Sequence, residues 1–213
     1  IFKKGANGME YVNQVEGFDE TTNTFEIALD ANYLWLKKDP YLYQMVLSDD
    51  LKRFDYIKKH TQISSQYKGI GSLQYLNKKI YFQVKNHFYR FSQEQESFFE
   101  DKKVSSLFKD IPVINTLIED SFGNLWYSYN ESLGVLVKNK NGGFTKNQAP
   151  FSNLTGNLVN NYISVNTIDP SNIFIGLTDG LTHYDSKIPN SFDWQLVAHF
   201  ILRKGLDHEK PKF

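Results

Sequence analysis

The sequence predicts an all-β fold made of β-propeller blades, with four full four-stranded blades and one half blade. Three observations support this prediction. First, an aromatic residue within an apolar run recurs at intervals of 46, 45 and 48 residues, at Trp35, Tyr81, Trp126 and Phe174. Second, another Phe follows each of these anchors by 17 to 19 residues, at Phe54, Phe98, Phe144 and Phe192. Third, short runs rich in aromatic and β-branched residues alternate with Gly, Asn, Asp and Pro, which favours strands and turns over helices.

Each repeat is predicted to contain four strands. The first is a short apolar run such as "VINTLI", which often ends in an acidic residue and a turn, as in "IEDSFGN". The second strand holds the anchor ("LWYSY"), a tight polar turn follows ("YNES"), the third strand is "LGVLV", and the fourth carries the closing Phe. A period in the mid-forties with four strands per unit is typical of propeller blades. Because one blade cannot bury both of its faces, we expect the four anchors to be core residues between neighbouring blades.

The repeats also set the boundaries of the predicted units. A half blade covers residues 1–18, and full blades cover about 25–56, 70–100, 113–146 and 162–194. No inner strands precede the half blade, so we expect this chain to be a piece of a larger propeller. Alternatively, "WQLVAHFIL" near the end could form a strand that completes the half blade and closes the ring. Residues 195–213 are otherwise predicted to be an exit tail or the start of a following module.

Composition argues against several classes of function. The 24 basic and 24 acidic residues cancel, so no nucleic-acid partner is expected through this chain. No apolar run reaches the length of a membrane span. The absence of cysteine excludes disulfides, thiol catalysis and Cys-ligated zinc. The five histidines form no spaced metal-binding motif, and we expect neither a metal nor a cofactor.

Two copies of the repeat carry a more specific pattern. The stretches "IEDSFGNLWYSYNESLGVL" (118–136) and "IDPSNIFIGLTDGLTHYD" (168–185) each join an acid-ending strand, an anchor strand, a turn and a third strand. In this form they resemble the two-component regulator propeller repeat. The matching positions are Glu119, Asp120, Gly123, Asn124, Leu125 and Trp126 in one copy, and Ile168, Asp169, Ile173, Phe174, Ile175, Gly176, Gly180, Leu181, Tyr184 and Asp185 in the other. The copies around Trp35 and Tyr81 keep the spacing and lack the glycines.

The resemblance implies a role in signal transduction. Such propellers form the extracytoplasmic sensor regions of hybrid two-component systems and related membrane-anchored regulators in Bacteroidetes-type bacteria, and many of these systems respond to breakdown products of complex polysaccharides. We therefore expect a periplasmic sensor whose ligand is a small molecule or an oligosaccharide, and a homodimer is one arrangement that would transmit the signal. Any kinase or other output activity would lie in segments outside this chain. The chain itself is expected not to be an enzyme.

The turn between the second and third strands of each blade is the predicted ligand surface. Tyrosine rings provide flat amphipathic platforms, and Asn or Asp side chains offer polar contacts to hydroxyl-rich ligands. The candidate residues are Tyr41, His87, Tyr129, Asn130 and Asp179. Ordinary hairpin turns use the same residue types, so a purely structural role for these residues also stays open.

Two other functions remain open from the sequence. A propeller enzyme of the lyase or glycosidase type would need acids or metal ligands that converge from the innermost strands, and "SLQYL", "VINTLI" and "YISVNTI" offer few. Glu119 and Asp120 are adjacent on a strand and would point to opposite faces, which is poor geometry for paired acid catalysis. A protein-docking scaffold would instead present a flat face with a large exposed apolar patch.

Overall fold

The computed structural model describes residues 2–6, 8–18, 26–30, 33–63, 71–165, 169 and 172–185, with only the backbone of residues 149, 150 and 160–162. These residues form 17 strands, one short α-helix and one 3₁₀-helix. The chain divides into two compact units, Ile1–Val113 (unit 1) and Ile114–Phe213 (unit 2), each of which is described by itself.

Unit 1 contains a hairpin, two blades and a short helix. The hairpin pairs β1 (Phe2–Gly5) with β2 (Gly8–Tyr11). Blade 1 is an antiparallel meander of β3 (Glu26–Leu29), β4 (Leu34–Lys38), β5 (Tyr41–Leu47) and β6 (Phe54–His60). Blade 2 repeats this order with β7 (Leu73–Leu76), β8 (Lys79–Val84), β9 (His87–Ser92) and β10 (Ser97–Glu100). The helix α1 (Lys102–Leu107) follows, and the side chain of Asp101 caps its N-terminus by accepting from the Val104 backbone N–H.

Unit 2 contains two further blades. Blade 3 is the meander of β11 (Thr116–Glu119), β12 (Leu125–Tyr129), β13 (Ser132–Lys138) and β14 (Phe144–Asn147). A 3₁₀-helix, Ala149–Leu154, leads to blade 4, which has β15 (Leu158–Val165), β16 (Asn172–Leu177) and β17 (Gly180–Asp185).

The predicted fold class, all-β with β-propeller blades, is confirmed by these meanders. Blades 1, 2 and 3 each have four antiparallel strands, and the predicted half blade is the β1–β2 hairpin. Blade 4 has three described strands. Its predicted closing residue, Phe192, and the segment 195–213 lie outside the described residues.

The core of unit 1 lies between blades 1 and 2. The Trp35 ring on β4 is fully buried and lies 4.7 Å, centroid to centroid, from the Phe82 ring on β8. The inner strands of the two blades are also joined by a hydrogen bond, because the Leu73 N–H donates to Glu26 Oε2 at 2.6 Å. Strand alternation places Trp35 on the face of β4 that meets blade 2, so an aromatic residue at this position links one blade to the next.

The core of unit 2 follows the same plan. Trp126 on β12 is buried, and its ring lies 5.6 Å from Phe151 of the 3₁₀-helix and 5.7 Å from Tyr184 on β17. Ile173 and Ile175 on β16, both fully buried, belong to the same apolar cluster. Blades 3 and 4 are therefore packed around one indole, as blades 1 and 2 are packed around another.

An acidic residue in the preceding turn holds each of these two indoles in place. Trp126 Nε1 donates to Asp120 Oδ2 at 3.1 Å, and Trp35 Nε1 donates to Asp30 Oδ2 at 3.1 Å. Blade 2 differs, because its β7–β8 connection is a two-residue turn without an acid. There the anchor Tyr81 donates its hydroxyl to Asp101 Oδ2 at 3.1 Å, and Asp101 follows the fourth strand instead.

Phe174 is not a core residue, contrary to the prediction for the fourth anchor. Its side chain is 38% exposed, whereas its neighbours Ile173 and Ile175 are fully buried. Successive strand residues face opposite sides, so the two isoleucines face Trp126 and Phe174 faces away from blade 3. On that side its described ring contact is His183, at 4.8 Å. The anchor position needs a following blade to cover it, and no described strand of unit 2 lies there.

Candidate functional site

Hydrogen bonds join three segments at one end of unit 2. The Gly156 N–H donates to the Glu131 carbonyl at 3.2 Å, which links the β12–β13 turn to the segment after the 3₁₀-helix. The Thr178 N–H donates to the Asn157 carbonyl at 2.8 Å, which links that segment to the β16–β17 turn. We call residues 129–131, 156–157 and 178–179 the turn surface of unit 2. It brings the predicted ligand residues Tyr129, Asn130 and Asp179 to one end of the unit.

The tyrosine of this surface is fixed on both sides. The Tyr129 ring stacks on the Tyr127 ring, with centroids 6.1 Å apart and an interplanar angle of 27°. Its hydroxyl accepts a hydrogen bond from Gln148 Nε2 at 3.0 Å. Burial raises the pKa of Tyr127 well above its ordinary value, so this supporting ring stays a neutral phenol at physiological pH. Tyr129 is half-buried, and its ring and its hydroxyl each have a partner within unit 2.

The polar residues of the surface are more open. Asn130 and Glu131 have φ angles of 43° and 57°, the left-handed pair that a two-residue hairpin turn of type I′ requires. Both side chains are exposed, as are those of Asn157 and Asp179. The turn therefore fixes where the Asn130 backbone lies and leaves the side-chain amide exposed to solvent.

In unit 1, Tyr41 already has a cationic partner. Lys59 Nζ lies 3.6 Å from the centroid of the Tyr41 ring, a cation–π contact, and the Tyr43 ring lies 6.4 Å away. One face of Tyr41 is therefore occupied by a side chain of its own blade.

His87 is also engaged within its own blade. Its Nδ1 lies 2.7 Å from Glu100 Oε1 on the neighbouring strand β10. This hydrogen bond is the main cause that holds the pKa of Glu100 below its ordinary value, against the opposing effect of burial. The described contacts do not bring Tyr41 and His87 together, so the predicted residues of unit 1 do not form a counterpart of the turn surface of unit 2.

Sequence reasoning missed Asn157, a member of the turn surface, and Gln148, which donates to Tyr129. Both flank the 3₁₀-helix, which the repeat pattern did not predict because it lies between two blades. The weak signal was Pro150 within "NQAPFSN", since proline suits the first turn of a helix.

Neither described helix, at six residues each, has the length and apolarity that a membrane crossing needs. Among the residues that the structure describes, no three His, Asp or Glu side chains come together as a metal-binding group.

Comparison with known proteins shows a likeness in fold. No family model and no curated protein matches the chain. Among solved structures, the chain is similar to selenomethionine-substituted virginiamycin B lyase from Staphylococcus aureus, at 12% identity and a TM-score of 0.46, over 88% of this chain and 62% of that one. It is also similar to a catalytically inactive variant of the same lyase with quinupristin, at 13% identity and a TM-score of 0.46, over 82% and 59%. The chain thus spans about three fifths of the length of these solved chains.

These comparisons change one prediction and leave another in place. The prediction that the chain is not an enzyme is contradicted, because the two structures described above are of an enzyme, and we withdraw it. At this identity and TM-score the likeness assigns no reaction to this chain. Membership in the two-component regulator propeller family stays a prediction, because no family model matches.

Proposed function

We propose that this chain is the ligand-sensing propeller region of a bacterial signalling receptor and that its ligand is a carbohydrate. The resemblance of residues 118–136 and 168–185 to the two-component regulator propeller repeat supports the signalling role. A periplasmic location and a homodimer as the signalling unit belong to the same proposal. They follow from the resemblance alone.

The turn surface of unit 2 is the observation that carries the carbohydrate part of the proposal. The exposed side chains of Asn130, Asn157 and Asp179 belong to segments that backbone hydrogen bonds join, and the first of these segments also carries the tyrosine bonded to Gln148. Amide and carboxylate groups can bond two neighbouring hydroxyls at once, and the face of a tyrosine ring packs against the apolar side of a sugar ring. This mixture suits a hydroxyl-rich ligand better than an apolar one.

The position of the turn surface also suggests how binding could be transmitted. The Asn130 turn belongs to blade 3 and the Asp179 turn belongs to blade 4, so a ligand that contacts both bridges two blades. Such a ligand shifts the packing of the blades only if it binds one arrangement more tightly than the other. A ligand confined to one turn would bind without signalling.

The experiment is a titration of the full chain with oligosaccharides, carried out on the wild type and on two variants. Asn130→Gly removes the amide and keeps the positive φ, which Asn130→Ala would strain. Asp179→Ala removes the carboxylate from the second blade. Asn147→Ala, on the exposed outer strand of blade 3, is the matched control.

We expect each of the first two variants to weaken binding of a wild-type ligand about tenfold or more, which is the usual effect of losing one or two hydrogen bonds to a ligand. The control should bind as the wild type does, and all variants should melt at the wild-type temperature. Equal binding by Asn130→Gly, Asp179→Ala and the wild type would contradict this site.

A further inference from the structure

Unit 1 contains a cleft at the end of blade 2 opposite the β8–β9 turn. Its rim comes from three turns: the β3–β4 turn with Asp30, the β7–β8 turn with Lys78 and the adjoining Lys79 at the start of β8, and the β9–β10 turn with Glu94. Its volume is about 500 Å³, within the range of small-molecule sites. In a meander the turns alternate between the two ends, so this cleft is distant from the β8–β9 turn, where His87 was predicted to meet a ligand.

The floor and one wall of the cleft are aromatic. Phe82 is buried at the floor beside the half-buried Phe91, and both belong to the core that surrounds Trp35. Phe99 on β10 is 40% exposed and forms the wall. Phe99 pairs with Arg90, whereas Phe91 pairs with Phe98, so Phe99 and Arg90 lie on the face of blade 2 opposite Phe82 and Phe91. The exposed ring that a flat apolar body can contact beside Arg90 is therefore Phe99.

The charges that line the cleft have an excess of cations. Arg90, Lys78 and Lys79 face two carboxylates, Asp30 and Glu94. Asp30 is already bonded, because its Oδ1 accepts from the Tyr33 N–H at 2.8 Å and its Oδ2 accepts from Trp35 Nε1.

Arg90 is placed to meet an anion. Its guanidinium carbon lies 5.6 Å from the centroid of the Phe99 ring, so the planar group rests against the aromatic wall. No described residue forms an ion pair with Arg90, Lys78 or Lys79. A guanidinium beside a ring keeps its outer N–H donors available for a bidentate contact to a carboxylate or phosphate.

We propose that this cleft binds a small planar organic acid, with its flat body against Phe99 and its carboxylate or phosphate group bonded to Arg90. Lys78 and Lys79 draw the anion to the mouth of the cleft. The β7–β8 turn holds them there, since Asn77 and Lys78 have φ angles of 50° and 57° and so form a tight two-residue turn. This inference goes beyond the carbohydrate proposal and is independent of it, because the two sites share no residue.

The test is isothermal titration of the full chain with indole-3-acetate, indoxyl phosphate and the neutral indole-3-acetamide. We expect at least one acid to bind saturably and the amide to bind about tenfold more weakly or not at all, because only the acids can form charge-assisted bonds to Arg90. The tighter of the two acids identifies whether the site takes a carboxylate or a phosphate. Saturable binding of neither acid, or equal binding of acid and amide, would overturn the proposal.

Variants locate the binding within the chain. Arg90→Gln should weaken binding of the acid about tenfold, and Arg90→Lys should give an intermediate loss because a lysine keeps the charge without the planar fork. The double change Lys78→Gln and Lys79→Gln alters only exposed residues, one in the β7–β8 turn and one at the start of β8, so it tests the charge even if Arg90→Gln fails to fold. Lys103→Gln, exposed on α1, is the matched control and should bind as the wild type does. Wild-type affinity in both the Arg90→Gln and the lysine variants would refute the site.

Discussion

The contact between Asp120 and Trp126 is predicted to be a major source of stability in unit 2. Asp120 is 7% exposed, and its carboxylate accepts four hydrogen bonds. Oδ1 accepts from the backbone N–H groups of Phe122 and Asn124, both at 2.9 Å. Oδ2 accepts from Asn124 Nδ2 at 2.9 Å and from Trp126 Nε1 at 3.1 Å. One short side chain therefore closes the β11–β12 turn and orients the central indole of the core.

The cost of removing this carboxylate follows from which donors can find water. Phe122 is exposed and Asn124 is half-buried, so water can replace much of what their groups lose in Asp120→Ala. Trp126 Nε1 lies in the core and would be left without an acceptor, which costs about 1–3 kcal/mol by itself. With the loss of the turn contacts we expect Asp120→Ala to lower the free energy of unfolding by about 3–4 kcal/mol.

A double-mutant cycle isolates the bond to the indole. The variants are Asp120→Ala, Trp126→Phe and the two together, measured by urea denaturation, with the exposed Asp110→Ala as the control for a surface acid. Because Trp126→Phe removes the donor, Asp120→Ala should cost about 1–2 kcal/mol less in its presence. The control should change stability by less than about 0.5 kcal/mol. Costs that simply add, within about 0.5 kcal/mol, would refute this account of the indole contact.

Three further predictions concern other parts of the fold. His60 lies half-buried beside Trp35 and Phe98, and burial, with a smaller effect of Lys58, lowers its pKa to about 4. The unfolded chain therefore binds more protons between pH 4 and 6.5, so the free energy of unfolding should fall as the pH is lowered through this window. The expected loss is about 1–2 kcal/mol after allowance for the exposed part of the ring. His60→Phe should flatten this pH profile, measured by urea denaturation at several pH values. Gly134→Ala should lower stability by about 1–3 kcal/mol, because its Cβ would overlap the buried Tyr127 ring; an unchanged melting temperature would show that the ring can move aside. Ile175→Ala should cost about 2–5 kcal/mol and Phe174→Ala clearly less, and the reverse order in thermal melts would restore Phe174 to the core.

Much of the fold follows from local patterns that the sequence displays directly. The spacing of Trp35, Tyr81 and Trp126 predicts the blades because each of these blades has a buried aromatic residue at the same position on its second strand. The prediction fails at Phe174 for the same reason. That position is buried only when another blade lies against it, and periodicity within the chain does not show what covers its last face.

The candidate sites were less predictable because they depend on contacts between elements. Asn130 and Asp179 could be proposed from their turns, but their link through Gly156 and Asn157 depends on a 3₁₀-helix outside the repeat pattern. The proposed anion cleft is formed by turns of two different blades. No pattern in the residues around Arg90 on β9 predicts that its side chain would meet a ligand. The acid that holds the anchor of blade 2 could not be foreseen either, since Asp101 lies 20 residues after Tyr81.

The central claim is that this chain senses a carbohydrate, and a thermal-shift screen of the full chain against plant, host and microbial oligosaccharides tests it most directly. A ligand at about one hundred times its dissociation constant should stabilise the folded chain by about 2.7 kcal/mol, which is readily measured. We expect a selective rise in melting temperature with one class of oligosaccharide, lost in Asn130→Gly and retained in Asn147→Ala. A melting temperature that no oligosaccharide changes would contradict the claim.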